Sequence, residues 1–188
     1  MPTATTTVGI ECPTGYRIEY ARPDDLALLE KIQIQASAVF PEEDVPAELR
    51  QQGIPLSIMT EAARDERLWI AVETNSDATV GFALAIKVGH WGHVAEVDVL
   101  PAHGRRGIGR ALVATVIDWA LKGRFPMLTL TPFRHLAWNA PFYASLGFTE
   151  FPVNEWPPEF AARVKRELGP GIDPAKRVAM RLPLPVPR

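Results

Sequence analysis

The order of apolar and polar residues predicts strands and helices along most of the chain. Strands are predicted where residues alternate or form short apolar runs, at 16–22, 68–73, 80–88, 95–100, 127–131 and 177–182. Helices are predicted where apolar residues recur every three or four positions, at 57–67, from 108, at 158–168, and from 23 with an inner stripe of Leu26, Leu29, Ile32 and Ala36. This order implies a mixed sheet with helices on both faces.

Residues 93–112 predict a strand that passes through a glycine-rich turn directly into a helix. The strand covers residues 95–100, and Pro101 ends it because proline cannot donate to a sheet ladder. The following helix presents one apolar stripe, made of Ile108, Leu112, Val116 and Trp119. A helix therefore begins where the glycines end.

This turn has the properties of an anion-binding site. The first amides of a helix lack partners, and the helix dipole favours an anion beside them. Gly107 and Gly109 allow a ligand to approach the backbone closely, and Arg105, Arg106 and Arg110 add positive charge. The sequence therefore predicts a cradle for a phosphate or pyrophosphate.

Spacing decides between the known kinds of cradle. A dinucleotide fingerprint requires a glycine at the position of Leu112, and a Walker-type loop requires Lys followed by Ser or Thr at the positions of Arg110 and Ala111. Both nucleotide-binding motifs are therefore excluded. The turn instead resembles motif A of the GNAT superfamily of N-acetyltransferases, which reads Arg/Gln-x-x-Gly-x-Gly/Ala after a strand. Gly104 stands at the first position of that pattern, so its contact would fall to Arg105 or Arg106. The alternative is a turn that only joins a strand to a helix.

Residues 139–148 carry a second motif. Asn139 is a favoured N-cap, Pro141 suits a first helical turn, and Gly147 is a common helix stop. The F-Y-x-x-L-G-F segment that begins at residue 142 resembles motif B of the same superfamily. This resemblance implies that Asn139 contacts the coenzyme and that Tyr143 protonates the leaving thiolate. The alternatives are a plain N-cap for Asn139 and a core-edge aromatic for Tyr143.

The resemblance implies a fold, a reaction and a set of binding residues. The fold is α/β, with a central mixed, mostly antiparallel sheet, helices on both faces, and a splay between the motif A and motif B strands. The reaction is direct transfer of an acetyl group from acetyl-CoA, without a metal, to a primary amine of a small molecule, amino acid or peptide. The residues implied for coenzyme binding are the backbones of Val97 and Val99 for the acyl arm, Gly104, Arg105, Arg106, Gly107, Ile108, Gly109 and Arg110 for the pyrophosphate, and Asn139. The alternative function is a non-catalytic acyl-CoA-binding module of the same fold.

The general base is sought among the acids and histidines near motif A. Glu96 is the first choice, because members of the superfamily often place a strand carboxylate near the acceptor. Asp98 shares its face by alternation and is the rival, while His93 and His135 are weaker candidates. The alternative for Glu96 is a structural acid, paired to an arginine or exposed. His90 and His93 are predicted to lie in a solvated turn rather than to bind a metal.

The proline- and acid-rich residues 40–55 predict a loop with a short helix. Glu42, Glu43 and Asp44 are expected to form a solvated acidic turn, although the resemblance would also allow them to face a cationic substrate. The variable loops around the acceptor leave its identity open.

Composition narrows the class of protein further. With 20 basic and 22 acidic residues the chain lacks the basic excess of nucleic-acid binders, and its single cysteine, Cys12, suits a reducing cytoplasm. No apolar run approaches the roughly 18 residues of a membrane span. We therefore expect a flexible arm over residues 1–15 and a single acetyltransferase domain over 16–188. We also expect a cytoplasmic protein that binds no nucleic acid or membrane and is a candidate homodimer.

Overall fold

The computed structural model describes residues 11–168 and 171–185, so most of the predicted N-terminal arm lies outside the described residues. The strands in this part of the chain are β1 (Tyr16–Tyr20), β2 (Leu68–Glu73), β3 (Thr79–Val88), β4 (Trp91–Val99), β5 (Met127–Leu130), β6 (Thr149–Glu150) and β7 (Met180–Pro183). The α-helices are α1 (Leu26–Ser37), α2 (Ala47–Arg50), α3 (Leu56–Arg64), α4 (Ile108–Lys122), α5 (Ala140–Ala144) and α6 (Pro158–Leu168). None of these helices is long and apolar enough to cross a membrane.

The strands form one mixed sheet in the order β1-β2-β3-β4-β5-β7-β6. Neighbouring strands run antiparallel except for β4 and β5, which are parallel. Helices α1 and α3 pack on one face, and α4 packs on the other. The predicted mixed, mostly antiparallel sheet with helices on both faces is confirmed.

The helices are held to the sheet by the apolar stripes that the sequence predicts. The buried residues of α1 are the four predicted ones, Leu26, Leu29, Ile32 and Ala36. In α4, Ile108, Leu112 and Val116 are fully buried, whereas Trp119 packs at the edge of the same cluster. A fully buried side chain of this size contributes roughly 1.5–3 kcal/mol to folding, so these stripes fix α1 and α4 against opposite faces.

Strands β4 and β5 separate soon after they meet. Their pairing is limited to Gly92 with Leu128 and His93 with Thr129. Strand β4 continues for six more residues, to Val99, along an edge that β5 does not follow. The predicted splay between the motif A and motif B strands is therefore present, and it opens a gap in the middle of the sheet.

A β-bulge lies in β4 beside this gap. Leu84 of β3 pairs with Glu96 and Ala85 pairs with Val94, so Ala95 is the extra residue on β4. Ala95 packs against the α1 side, and the next residue, Glu96, also faces α1, where its carboxylate accepts a hydrogen bond. Bulges re-aim side chains in this way. Two consecutive side chains thus point to the same face.

His93 does not lie in the predicted solvated turn. Strand β4 begins at Trp91, and the His93 side chain is fully buried. Its Nδ1 lies 2.9 Å from Thr129 Oγ1 and its Nε2 lies 2.8 Å from Glu167 Oε1. Burial opposes ionisation of Glu167, but His93, Arg163 and Thr131 stabilise the carboxylate and lower its pKa to about 2. His93 ties β4 to β5 and α6.

Asp44 is not part of a solvated turn either. Its side chain is fully buried, and its two oxygens accept hydrogen bonds from Lys176 Nζ at 2.6 Å and from His135 Nε2 at 2.9 Å. Burial alone would raise the Asp44 pKa, but these two bonds lower it below the usual value. Glu42 and Glu43 are exposed, as predicted. Asp44 therefore anchors the 40–55 loop to the segment before β7.

Candidate active site

The gap between β4 and β5 opens into a cavity of about 770 Å³. One wall is the strand segment 94–99, and the opposite wall is formed by residues 130–132 and Arg177. The first residues of α4 complete it, together with Asn139, Phe142 and Tyr143 at α5. A third side is formed by Ala36, Val39, Phe40 and Trp138. The cavity therefore collects both predicted motifs.

The start of α4 forms an amide cradle at this cavity. Arg105 and Gly107 adopt positive φ angles of 58° and 85°, which reverse the chain just before the helix. The first helical bond is from Ala111 N to Gly107 O, at 3.0 Å. Within the described residues the backbone amides of 105–110 have no acceptor. A run of free amides at a helix N-terminus suits a pyrophosphate.

The side chains around the cradle divide into two groups. Gly104, Arg105, Gly107, Ile108, Gly109 and Arg110 line the cavity. Arg106 does not: its guanidinium donates to Tyr16 Oη at 2.9 Å and to Ala102 O at 3.1 Å. Arg106 thus fixes the loop to β1, and of this residue only the backbone amide belongs to the cradle.

Strand β4 contributes further free amides. Leu100 N donates to Val80 O at 2.8 Å, which places this amide on the edge that faces β3. Successive amides of a strand point to opposite edges, so those of Val97 and Val99 point toward the gap. Strand β5 does not pair with this stretch. Both amides are therefore placed to bind a ligand that enters between the strands.

Helix α5 brings Asn139 and Tyr143 to the cavity. Asn139 occupies the N-cap position, but its side chain makes no capping hydrogen bond to the described residues. The Tyr143 ring packs against Phe142 and Phe148, with ring centroids 5.0 and 6.0 Å apart. Burial and the charges of the β4 acids raise the Tyr143 pKa above its ordinary value. The hydroxyl therefore stays protonated and can donate.

Glu96 and Asp98 face the cavity from the same side of β4. Gln33 Nε2 donates to Glu96 Oε2 at 3.0 Å, while Gln33 Oε1 accepts from Ile54 N at 2.8 Å. Burial raises the Glu96 pKa to about 7 against the opposing charge of Arg177. Burial and the Glu96 charge also raise the Asp98 pKa well above its ordinary value. The hydrogen bond from Gln33 and the charge of Arg177 both favour the ionised form of Glu96.

The other base candidates do not reach the site. Neither His93 nor His135 lines the cavity, and both are engaged by carboxylates, of Glu167 and Asp44 respectively. No group of three or more potential metal ligands occurs in the part of the chain described here.

Sequence reasoning missed Arg177, which stands opposite the acids. Its guanidinium carbon lies 4.6 Å from the Phe133 ring centroid, and Nη2 donates to Thr131 Oγ1 at 3.3 Å. Arg177 precedes β7 in an ordinary basic and apolar stretch, so no local signal marks it. We call the part of the cavity lined by Glu96, Asp98, Tyr143 and Arg177, with Phe40 and Trp138, the Glu96–Arg177 pocket.

Comparison with known proteins agrees with this geometry. The sequence profile of the acetyltransferase (GNAT) family matches residues 27–148, which include strands β2 to β5, the cradle and α5. The chain belongs to this family. The matched GNAT segment ends at Phe148, so Arg177 lies outside it.

Solved structures show the same fold. Rv2747 from Mycobacterium tuberculosis, in complex with CoA and NLQ, is 19% identical with a TM-score of 0.67, over 90% of this chain and 99% of that chain. The ribosomal-protein-S18-alanine N-acetyltransferase from Escherichia coli is 20% identical with a TM-score of 0.63, over 92% of this chain and 96% of that chain. The PaiA N-acetyltransferase from Thermoplasma acidophilum, in complex with coenzyme A, is 13% identical with a TM-score of 0.66, over 90% of this chain and 99% of that chain.

Substitution of Gly109 by valine is expected to weaken CoA binding by more than about tenfold, or 1.4 kcal/mol. A Cβ at Gly109 would lie 3.8 Å from Phe142 Cζ, an ordinary contact, so the backbone tolerates a side chain. The two further methyl groups of valine would project into the cradle. Calorimetric titration with CoA measures the loss, and Gly109→Ala, which adds only the tolerated Cβ, is the matched control. Unchanged affinity in folded Gly109→Val would contradict the assigned cradle.

Proposed function

We propose that this protein transfers an acetyl group from acetyl-CoA to a primary amine. The observation that carries the proposal is the arrangement of Tyr143 and Glu96 at one gap in the sheet, beside the free amides of Val97 and Val99. In this proposal the amides of 105–110, with Arg105 and Arg110, hold the pyrophosphate, and Asn139 contacts the coenzyme. The free amides suit an anionic coenzyme, because its phosphate oxygens supply the hydrogen-bond acceptors that these amides lack among the described residues.

Acetyl-CoA supplies a thioester, whose carbonyl carbon forms a C–N bond with the amine while its C–S bond breaks. An amine that arrives as an ammonium first gives one proton to Glu96, which passes it to solvent. Glu96 then takes the second proton from the attacking nitrogen. Tyr143 donates its proton to the departing sulfur, so that the products are the amide and the CoA thiol. The proton on Glu96 returns to Tyr143 through solvent. The amides of β4 stabilise the negative charge that develops on the carbonyl oxygen.

The need for a base depends on the amine. A lysine-like ammonium with a pKa of about 10.4 is neutral roughly once in 2,500 molecules at pH 7, a deficit near 4.6 kcal/mol. An α-amine with a pKa of about 8 is neutral roughly once in ten. A carboxylate whose pKa lies near 7, as that of Glu96 does, is matched to removing such a proton at neutral pH.

The relatives support this proposal. The E. coli relative is named for N-acetylation of an alanine, and two other relatives are complexes with CoA. All three share the fold of this chain. The family supplies acetyl transfer, and the names of two of these relatives, both N-acetyltransferases, support nitrogen as the acceptor.

The test is thiol release from acetyl-CoA in the presence of alkylamines, free amino acids and short peptides. We expect release with at least one class of amine, and mass spectrometry of the product should locate the acetyl group on nitrogen. Tight binding of acetyl-CoA with no release for any amine would overturn the proposal in favour of a non-catalytic acyl-CoA-binding module.

A further inference from the structure

Two buried polar atoms in the Glu96–Arg177 pocket lack partners among the described residues. Within the described residues, Asp98 Oδ2 and Arg177 Nε have no hydrogen-bond partner. Unpaired polar groups of this kind are unfavourable in a folded protein, so each is expected to meet a ligand or water. The two residues line the same cavity from opposite walls, and they belong to groups that can carry opposite charge. They are thus complementary to a molecule with both a donor and an acceptor.

The Arg177 guanidinium is available for an anion. Of its five N–H groups only one, on Nη2, has an acceptor in the described residues, at a long 3.3 Å. No carboxylate in the described part of the chain forms an ion pair with it at 4.0 Å or less. Its contact with the Phe133 ring holds the planar group in place. A held guanidinium with spare donors is suited to a carboxylate.

The opposite wall suits an amine. Carboxylates accept hydrogen bonds from an ammonium or amine, and Glu96 and Asp98 lie two residues apart on the same face of β4. Glu96 is oriented by Gln33, which leaves its other oxygen for the pocket. A molecule that carries both an amine and a carboxylate would satisfy both walls. A simple alkylamine would leave Arg177 unpaired.

The third side of the pocket is apolar. Arg177 lies over the Phe133 ring, and the Phe40 ring centroid lies 5.4 Å from that of Phe133. The Phe40 centroid also lies 4.8 Å from that of Trp138. Trp138 and Val39 remain 46% and 48% exposed although they are large apolar side chains. This continuous aromatic surface begins at the arginine and offers contact to an apolar substituent.

We propose that the acceptor is a free amino acid with an apolar side chain. Its amine binds at Glu96 and Asp98, its carboxylate binds Arg177, and its side chain packs on Phe40 and Trp138. The proposal rests on the proposed N-acetyltransferase function and names the substrate of the same site. Leucine, phenylalanine and methionine are the free amino acids of this class to test first, with glutamate and lysine as polar comparisons.

The experiment compares compounds that share a side chain and an amine but differ in the carboxylate. Because the pKa of the amine also changes among them, each kcat/KM is expressed per unit of neutral amine. Thiol release is measured with leucine, leucinamide and isoamylamine, and with phenylalanine, phenylalaninamide and phenethylamine. We expect kcat/KM for the free amino acid to exceed that for its amide and amine by about 10- to 100-fold, the usual worth of a charge-assisted hydrogen bond. Leucine and phenylalanine should also exceed glutamate and lysine.

Arg177→Gln should reduce the ratio of kcat/KM for leucine to kcat/KM for isoamylamine toward one. Arg177→Lys should restore part of this ratio. Arg181→Gln is the matched control, because Arg181 also stacks on a ring, that of Phe151 at 4.7 Å, but does not line the cavity. It should keep the wild-type ratio.

The outcomes separate the two proposals. Equal kcat/KM for amino acid, amide and amine would overturn the amino-acid proposal while the N-acetyltransferase function stands. Absence of thiol release with every amine would overturn that function, and calorimetric titration of leucine into the CoA complex would then test the pocket alone. Leucine binding that is lost in Arg177→Gln but kept in Arg181→Gln would support it, and absence of leucine binding to the wild type would overturn it.

Discussion

Substitution of Tyr143 by phenylalanine is expected to slow the chemical step by about 10²–10⁴-fold, the usual worth of a positioned general acid. The aromatic ring remains, so its packing against Phe142 and Phe148 is kept and only the hydroxyl is lost. Affinity for acetyl-CoA should therefore stay within a few-fold of the wild type. Burial would also raise the pKa of the departing thiol, so a protonated donor beside the sulfur is needed more than in water.

Single-turnover thiol release with saturating acetyl-CoA measures this step separately from product release. Tyr20→Phe is the matched control, because Tyr20 packs against Trp69, is half exposed and does not line the cavity. A Tyr143→Phe variant with intact CoA binding and a wild-type single-turnover rate would rule out the acid role.

The elements of the fold follow from local sequence patterns. The α1 and α4 stripes lie at the predicted positions because helical periodicity depends on neighbours three and four residues apart. The cradle at residues 104–110 was also predictable, since glycine spacing and the start of an apolar stripe are both local. The same is true of the order of strands and helices, which predicted the mixed sheet that the structure shows.

The bulge at Ala95 could not be predicted in the same way. Side chains alternate between the two faces of the sheet from Glu96 to Asp98. Before Glu96, the extra residue Ala95 reverses which face each side chain of β4 occupies. His93 therefore shares the face of Glu96 although the two are three residues apart, and it is buried by Thr129 and Glu167. A prediction that starts the strand at residue 95 cannot detect the shift and leaves His93 in a turn.

The remaining differences come from contacts between distant parts of the chain. Asp44 is buried because Lys176 and His135 reach it from positions more than ninety residues away. Arg177 enters the Glu96–Arg177 pocket because β7 inserts between β5 and β6 in the sheet. In one sequence these residues look like ordinary surface charges, and only the topology brings them to their partners.

Substitution of Glu96 by glutamine is expected to reduce kcat/KM most strongly near neutral pH, by about 10²–10⁴-fold if Glu96 is the base. Burial raises its pKa to about 7, so the wild-type rate should climb as Glu96 ionises around that pH. Below this range the carboxyl group is protonated and cannot accept a proton from the amine. The Glu96→Gln profile should lack this limb and recover partly at alkaline pH, where free amine accumulates.

The pH–rate profiles of wild type, Glu96→Gln and Asp98→Asn distinguish the two acids. Glu150→Gln, an exposed strand carboxylate outside the cavity, is the control for loss of one negative charge. Because Glu96 and Asp98 interact, the limb near pH 7 belongs to the pair, and each single variant shows how the remaining acid titrates alone. Loss of the limb in Asp98→Asn, with a wild-type profile in Glu96→Gln, would move the base to Asp98. An unchanged profile in both variants would leave the amine to lose its proton to solvent, which is feasible for an α-amine with a pKa of about 8 but not for a lysine-like one.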